Sequence, residues 1–239
     1  MKIIVSAVIW IFISILTILL FLVDCVLAAI LFPFDKKRKI LHAQCFWWAD
    51  AVIGCNPYWQ LQVSGLENID RHKTYVIVAN HQSLADIAVM YKTHMQFKWV
   101  AKESLFKVPF IGWCLFLTKH IRLSRGDFGS IKKVYRQAAD WLKKDISVVF
   151  FPEGTRSKAS EMGEFQNGAF KLAIQEKLPI LPVVVNGTSE AIPKKSWFFK
   201  TKVAATLTVL PPIETEDLRP GDFASLKDAA FKKMECLII

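Results

Sequence analysis

Apolar residues open the chain without interruption. From Ile3 to Leu22, IIVSAVIWIFISILTILLFL, no side chain is charged. A run of about 20 such residues is long enough to cross a hydrocarbon core as a helix. A cleaved signal segment would have a shorter apolar core followed by small residues, whereas here the apolar pattern resumes after Asp24 as CVLAAILFPF. LVDC is similar to a lipoprotein cleavage box, but Asp24 stands where a small residue is required. A charge at mid-bilayer is costly, so Asp24 is expected to mark an interface or a helix break. Two arrangements follow: one spanning helix over residues 3–23, or a helical hairpin dipped into one leaflet with its turn near Asp24. Next comes DKKRK at 35–39, four positive charges suited to the cytoplasmic, anionic-lipid side. The aromatic-rich ILHAQCFWWADAVIGCNPYW after it can lie along the interface.

From Trp59 the pattern changes to short β-rich runs separated by helical stretches. The predicted strands are YWQLQVSG (58–65), TYVIVAN (74–80), FKWVAK (97–102), ISVVFF (146–151), ILPVVVNG (180–187) and KVAATLTVL (202–210). In FGSIKKVYRQAADWLKK, Ile131, Val134, Tyr135, Ala138 and Leu142 recur at helical spacing, which predicts an amphipathic helix. QNGAFKLAIQEK and DFASLKDAAFKKMECLI read as two further helices. The alternation predicts an α/β fold: a central mixed sheet flanked by helices, with an N-terminal membrane-anchoring helix or helical hairpin. No internal repeat is evident. The expected division is 1–58 as anchor and interfacial segment and 59–239 as the α/β domain. LFKVPFIGWCLFL, 105–117, is almost wholly apolar, and reads either as a core helix or as a membrane-facing patch or acyl-groove wall.

Composition changes this picture in two ways. The net charge of +10 calls for anionic partners, and 53% hydrophobic residues with 18 Phe and 8 Trp favour a membrane over nucleic acid among them. The five cysteines are odd in number and lack C-x-x-C spacing, so neither a disulfide framework nor a zinc site is indicated.

Two loaded segments follow predicted strands. NHQSLAD comes after TYVIVA, and PEGTRS after ISVVFF. In open α/β sheets ligands collect beyond the carboxyl ends of strands, so both are expected at one crevice. A neutral imidazole deprotonates an alcohol at physiological pH when a carboxylate fixes its tautomer. His81 and Asp86, with QSLA turning between them, can form that pair. Standing alone, the motif reads equally as an exposed histidine and an aspartate N-cap. Ser83 lies inside the turn and reads as a turn residue before a nucleophile, which leaves the substrate's own hydroxyl to attack. In the second segment Gly154 permits positive φ, and Arg156 offers a planar fork for phosphate, with Arg125 and Lys102 as further cations. Each cation by itself reads as a solvated surface charge.

With these residues in view, the chain resembles the glycerophospholipid acyltransferase family. Four blocks stand in the family's order: NHQSLAD; KESLFKVPFIGW continuing to the arginine of HIRLSR; FPEGTRS; and LPVVVNGT around Pro182, over about residues 60–210. The resemblance implies His81 as general base and Asp86 as its orienting partner. It implies Arg125, Glu153, Gly154, Thr155 and Arg156 at the glycerophosphate acceptor, with Lys102 contributing, and Pro182 in a block serving the acyl donor or the architecture. The chain departs from the pattern at Lys119 or His120, where a glycine is common, and at Gln166 and Asn167, where a basic pair is common.

The expected reaction moves a fatty acyl group from acyl-CoA or acyl-carrier protein to the 2-hydroxyl of lysophosphatidic acid, with no other cofactor, no metal and no acyl-enzyme. Expected partners are a membrane lipid substrate, the thioester donor and an anionic membrane surface, with no nucleic acid. The expected location is a membrane, catalytic domain towards the cytoplasm. The alternative within the chemistry is another acceptor: a different lysophospholipid, a lyso-aminolipid or glycerol-3-phosphate. The alternative outside it is a basic, non-catalytic membrane or nucleic-acid binder with salt-sensitive polyanion binding and no thioester turnover.

Overall fold

The computed structural model describes residues 2–124, 126–157, 161–193, 196–200 and 202–238. The apolar start forms helix α1 (Lys2–Leu31), which turns back into α2 (Lys39–Gly54). A hairpin is present, but its turn lies after Leu31 and not near Asp24. The helix runs through Asp24 because this side chain is buried, and its carboxylate accepts a hydrogen bond from Gln44 Nε2 on α2 at 2.7 Å. The turn falls where Pro33 and the charged run end the apolar pattern. There Asp35 accepts from the backbone N–H groups of Lys39 and Ile40, at 2.7 and 3.0 Å, and so caps the first turn of α2.

The sheet uses β1 (Trp59–Ser64), β2 (Val76–Ala79), then α3 (Asp86–Met90) and β3 (Phe97–Lys102). There follow α4 (Glu103–Phe106), α5 (Ile111–Leu117), β4 (Ile121–Leu123), α6 (Phe128–Leu142) and β5 (Ser147–Phe150). The chain closes with α7 (Gly168–Glu176), β6 (Ile180–Asn186), α8 (Thr188–Ala191), β7 (Val203–Val209) and α9 (Phe223–Glu235). The strand order is β1-β7-β6-β2-β5-β3-β4. The five strands from β6 to β4 are mutually parallel, β7 runs antiparallel to β6, and β1 follows β7. The mixed sheet matches expectation, and each predicted strand forms. The three-residue β4, inside HIRLSR, was not anticipated, being too short to show a period.

Alternation along β2 separates the two covering layers. Val76 and Val78 face a core made with Val134 and Ala138 of α6, Phe170 of α7, and Leu226 and Ala230 of α9. Ile77 and Ala79 face the opposite core, with Ala49 and Val52 of α2 and Ala88 and Val89 of α3. The hairpin therefore shares a core with the sheet. LFKVPFIGWCLFL becomes α4, a turn and α5, and Val108, Ile111, Trp113 and Phe116 remain exposed. The segment is thus an apolar surface, not a core helix.

Where α2 meets the sheet, His42 is fully buried. Its ring lies edge-on to Phe97 with centroids 4.9 Å apart. Among the described residues neither ring nitrogen has a hydrogen-bond partner. Burial, reinforced by the nearby Lys98 ammonium, lowers its pKa from 6.5 to about 3. The unfolded chain then takes up a proton near pH 6.5 that the folded chain refuses until near pH 3. Stability should fall as pH drops through that window, by about 1.4 kcal/mol per pH unit from this residue. His42→Leu is expected to flatten the acid branch of stability against pH, measured by thermal unfolding in detergent micelles; an unchanged acid branch would contradict this origin.

Candidate active site

Strand β2 ends in Asn80, whose side-chain amide imitates one more step of the ladder. Its Nδ2 donates to Val185 O and its Oδ1 accepts from Val185 N, both at 2.8 Å. The chain is thereby pinned to β6 just before it turns. In the turn, Asp86 Oδ2 accepts from the backbone N–H groups of Gln82 and Ser83 at 2.7 and 2.9 Å, and lies 2.7 Å from His81 Nδ1. Asp86 Oδ1 accepts from the hydroxyl of Thr188, at the start of α8. Asp86 is 0% exposed. Asp86 is the first residue of α3 and not its N-cap: its carboxylate bonds back to the turn before the helix and to the imidazole.

A neutral imidazole in that contact donates from Nδ1 to the carboxylate and keeps its lone pair on Nε2. The ring stacks on Phe151, centroids 4.1 Å apart and planes at 16°, and Phe151 stacks in turn on Trp99 at 5.4 Å. Its side chain is 18% exposed, so the imidazole has a fixed orientation and an open edge. Ser83 is fully buried and donates from Oγ to Ile192 O at 3.1 Å, which suits a turn residue and not a nucleophile.

The FPEGTRS segment leaves the neighbouring strand β5. Glu153 points inward, with Oε1 accepting from His81 N at 2.8 Å and Oε2 from Gly163 N at 2.7 Å. Burial raises its pKa, and these two N–H groups partly offset the rise. Both oxygens are thus engaged with backbone, and Glu153 braces two loops. A Cβ on Gly163 would lie 2.8 Å from that carboxylate, which explains the glycine there. Ser157 completes the tie, donating from N and Oγ to His81 O at 2.8 and 3.1 Å. Gly154 takes φ of 69° and, with Thr155, is exposed, while Arg156 is partly exposed.

Lys102 is exposed at the carboxyl end of β3. Strands β2, β5 and β3 are consecutive and parallel, so His81, the 153–156 turn and Lys102 sit side by side on one edge. At about 4.8 Å per strand, the three strand ends span about 10 Å. Arg125 follows β4, next in that row, but lies outside the described residues. Pro182 is not at this edge. It lies within buried β6, paired with Val78, and its parity with Ile180 and Val184 turns it to the α7 and α9 face, away from the Phe151 stack. Its place is in the architecture of the sheet.

The two departures from the family pattern have physical counterparts. Lys119 adopts φ of 56°, the left-handed region that glycine enters freely and that costs other residues about 1–2 kcal/mol. His120 Nδ1 accepts from Trp99 N at 3.0 Å. Gln166 N donates to Pro152 O at 2.8 Å, and Asn167 precedes α7.

An imidazole held by a buried carboxylate thus stands at the carboxyl edge of a parallel α/β sheet, one strand from the 153–156 turn and two from Lys102. Residues 60–186 match the Acyltransferase family model, and the chain belongs to that family. Among its relatives, the chain is 36% identical to a 1-acyl-sn-glycerol-3-phosphate acyltransferase of Chlamydomonas reinhardtii, over 83% of this chain and 60% of that protein. Identity is 35% to the Saccharomyces cerevisiae protein of that name, over 83% and 67%, and 33% to the Pseudomonas aeruginosa one, over 83% and 76%. The match spans 47% of the Brassica napus relative, so it covers less than two thirds of the algal and plant proteins. The solved 1-acyl-sn-glycerophosphate acyltransferase of Thermotoga maritima shares the fold, with a TM-score of 0.74 at 24% identity over 95% of this chain and 96% of that one.

Sequence reasoning missed Thr188, Asn80, Phe151 and Gly163. Thr188 had a signal, since NGT follows a strand that ends on the same edge as NHQSLAD. A hydrogen bond to a charged acceptor is worth about 1.5–3 kcal/mol. Thr188→Val is therefore expected to lower the unfolding free energy by that order and Thr188→Ser to restore most of it, as read from denaturant midpoints. Equal stability of the two variants would show the hydroxyl to be idle.

Proposed function

We propose that the protein acylates the 2-hydroxyl of 1-acyl-sn-glycerol-3-phosphate from a fatty acyl thioester, acyl-CoA or acyl-carrier protein, giving phosphatidic acid. The observation that carries this reading is the buried Asp86 carboxylate 2.7 Å from His81 Nδ1, one strand from the EGTR turn. His81 Nε2 takes the hydroxyl proton as the oxygen attacks the thioester carbonyl. The C–S bond then breaks, and the imidazolium returns the proton to the departing thiolate. Arg156, Thr155, the backbone at Gly154, Lys102 and Arg125 supply the donors and charge for the acceptor phosphate, while Glu153 holds the loop that presents them. Residues 1–58 attach this machinery to the membrane, and residues 59–239 carry out the transfer.

The hairpin is the membrane attachment, lying in one leaflet. Its inner face is the polar one: Ser6, Thr17 and Asp24 of α1 bond to Phe199 N, Trp48 Nε1 and Gln44 respectively. Phe21 packs on Phe110 and Trp113. Ile4, Val8, Ile11, Ile15, Leu19, Leu22 and Val26 face outward. This is amphipathicity inverted for water and right for lipid. From Ser6 to Phe21, about 22 Å of its length, α1 is docked along the α/β domain, which supports a hairpin lying within a leaflet instead of across the bilayer. The basic 35–39 segment then meets anionic headgroups, and the catalytic domain faces the cytoplasm.

His81→Ala is expected to lower kcat by about 10² to 10⁴, measured by thiol release from acyl-CoA in the presence of lysophosphatidic acid. Near-wild-type turnover would refute the base. Lys102→Ala and Arg156→Ala are expected to raise the acceptor KM while leaving the donor KM nearly unchanged. The same assay run over a panel of lysolipids tests the acceptor, and thiol release indifferent to acceptor would overturn the reading.

A further inference from the structure

Two exposed aromatic side chains, Trp197 and Phe198, are used by neither the catalytic edge nor the hairpin. Residues 193–202, PKKSWFFKTK, combine four lysines with three adjacent aromatics. Lys194, Lys195 and Thr201 lie outside the described residues. Trp197 is 70% and Phe198 51% exposed, beside the 69% exposed Ile3 at the start of α1. Such exposure is costly in water for two large aromatic rings.

The segment is nevertheless firmly docked. Trp10 Nε1 donates to Trp197 O at 2.7 Å, and its ring packs against Trp197 and Phe199, with centroids 5.6 and 5.1 Å away. Phe199 N donates to Ser6 Oγ at 3.0 Å. Lys200 pairs with Glu190, and its N donates to Ala191 O at 3.1 Å. Trp197 and Phe198 are thus held against α1, whose apolar face continues from theirs. A cleft of about 630 Å³ opens between Ile3, Pro193 and Phe198, with Lys200 and Lys202 on its wall.

We propose that this surface is a second membrane contact, made with the interface of an anionic bilayer. Trp197 and Phe198 enter the boundary between headgroups and acyl chains, where amphipathic aromatic rings partition. Lys202 meets lipid phosphates, joined by Lys200 from its exposed pair with Glu190, as basic residues are drawn to an anionic surface. The cleft receives an acyl chain of that bilayer. The contact reaches the catalytic turn, because Ile192, next to Pro193, accepts the Ser83 hydroxyl at 3.1 Å, and Ile9, Ala85, Ile192 and Phe199 share one small core. A basic-aromatic rim flush with an outward apolar helix fits a lipid surface better than a folded protein partner, which would leave the adjoining length of α1 uncovered.

This inference rests on the membrane attachment proposed above and not on the chemistry of acyl transfer. The test uses the full chain carrying Cys25→Ser and Cys236→Ser, the two exposed cysteines. An environment-sensitive fluorophore is placed at Phe198→Cys, or at Ile11→Cys on α1, or at Glu216→Cys as an aqueous control. Vesicles are phosphatidylcholine with or without phosphatidylglycerol. The Phe198 label is expected to shift to the blue and to be quenched by spin-labelled lipid, several-fold more strongly with phosphatidylglycerol. Lys200→Gln with Lys202→Gln should abolish that preference. A blue-shifted Ile11 label with a Phe198 label still quenched by aqueous iodide would overturn this inference alone, whereas both labels in water would overturn the membrane attachment as well. Shielding of Phe198 in detergent that grows with protein concentration, the mark of a second copy, would also overturn it.

Discussion

The arrangement depends on one buried carboxylate. Taking a carboxylate out of water costs several kcal/mol unless its lone pairs are met. Asp86 meets them with two backbone N–H groups of its own turn, the imidazole of His81 and the hydroxyl of Thr188. Three of these donors are local. The fourth comes from beyond β6, so the carboxylate is fully satisfied only when β2 and β6 are paired in register. Folding of the sheet and aim of the imidazole are therefore one event.

Glu153 repeats the device one strand away. Its two oxygens link the backbone of His81 to that of Gly163, while His81 O receives Ser157. Two inward carboxylates thus stitch the loops after β2 and β5 into one rigid edge. The histidine is held from four directions: by Asp86 at Nδ1, by Phe151 on its face, by Glu153 at its N–H and by Ser157 at its carbonyl. Rigid placement of this kind lets a single imidazole act without further reorganisation.

The membrane side obeys the same accounting of polar groups. Each bonded polar side chain of α1 described above turns inward, Ser6 to Phe199 of the domain and Thr17 and Asp24 to α2, and the outward surface is left mostly apolar. The catalytic turn packs on this layer through Ala85, which shares a core with Ile9 of α1. The anchor proposed for the membrane is therefore in direct packing contact with the turn that carries His81.

Much of this was legible from local pattern. Short continuous apolar runs mark β2 and β5 because alternate residues enter two cores and neither face meets water, and the Val134, Ala138, Leu142 stripe marks α6 at 3.6 residues per turn. His81 and Asp86 could be paired on paper because five residues separate them. What the pattern could not reach was any contact whose partner lies far along the chain. Asp24 read as a break because Gln44, its partner 20 residues on, becomes a neighbour only when the hairpin closes. Glu153 read as a ligand contact because side-chain direction is set by packing. Thr188 stayed unseen at 102 residues from Asp86. Periodicity and motif spacing report the burial and chemistry of single segments, and so determined the elements and the His81–Asp86 pair; which distant donor satisfies which buried acceptor is settled by strand order, and that belongs to the tertiary structure alone.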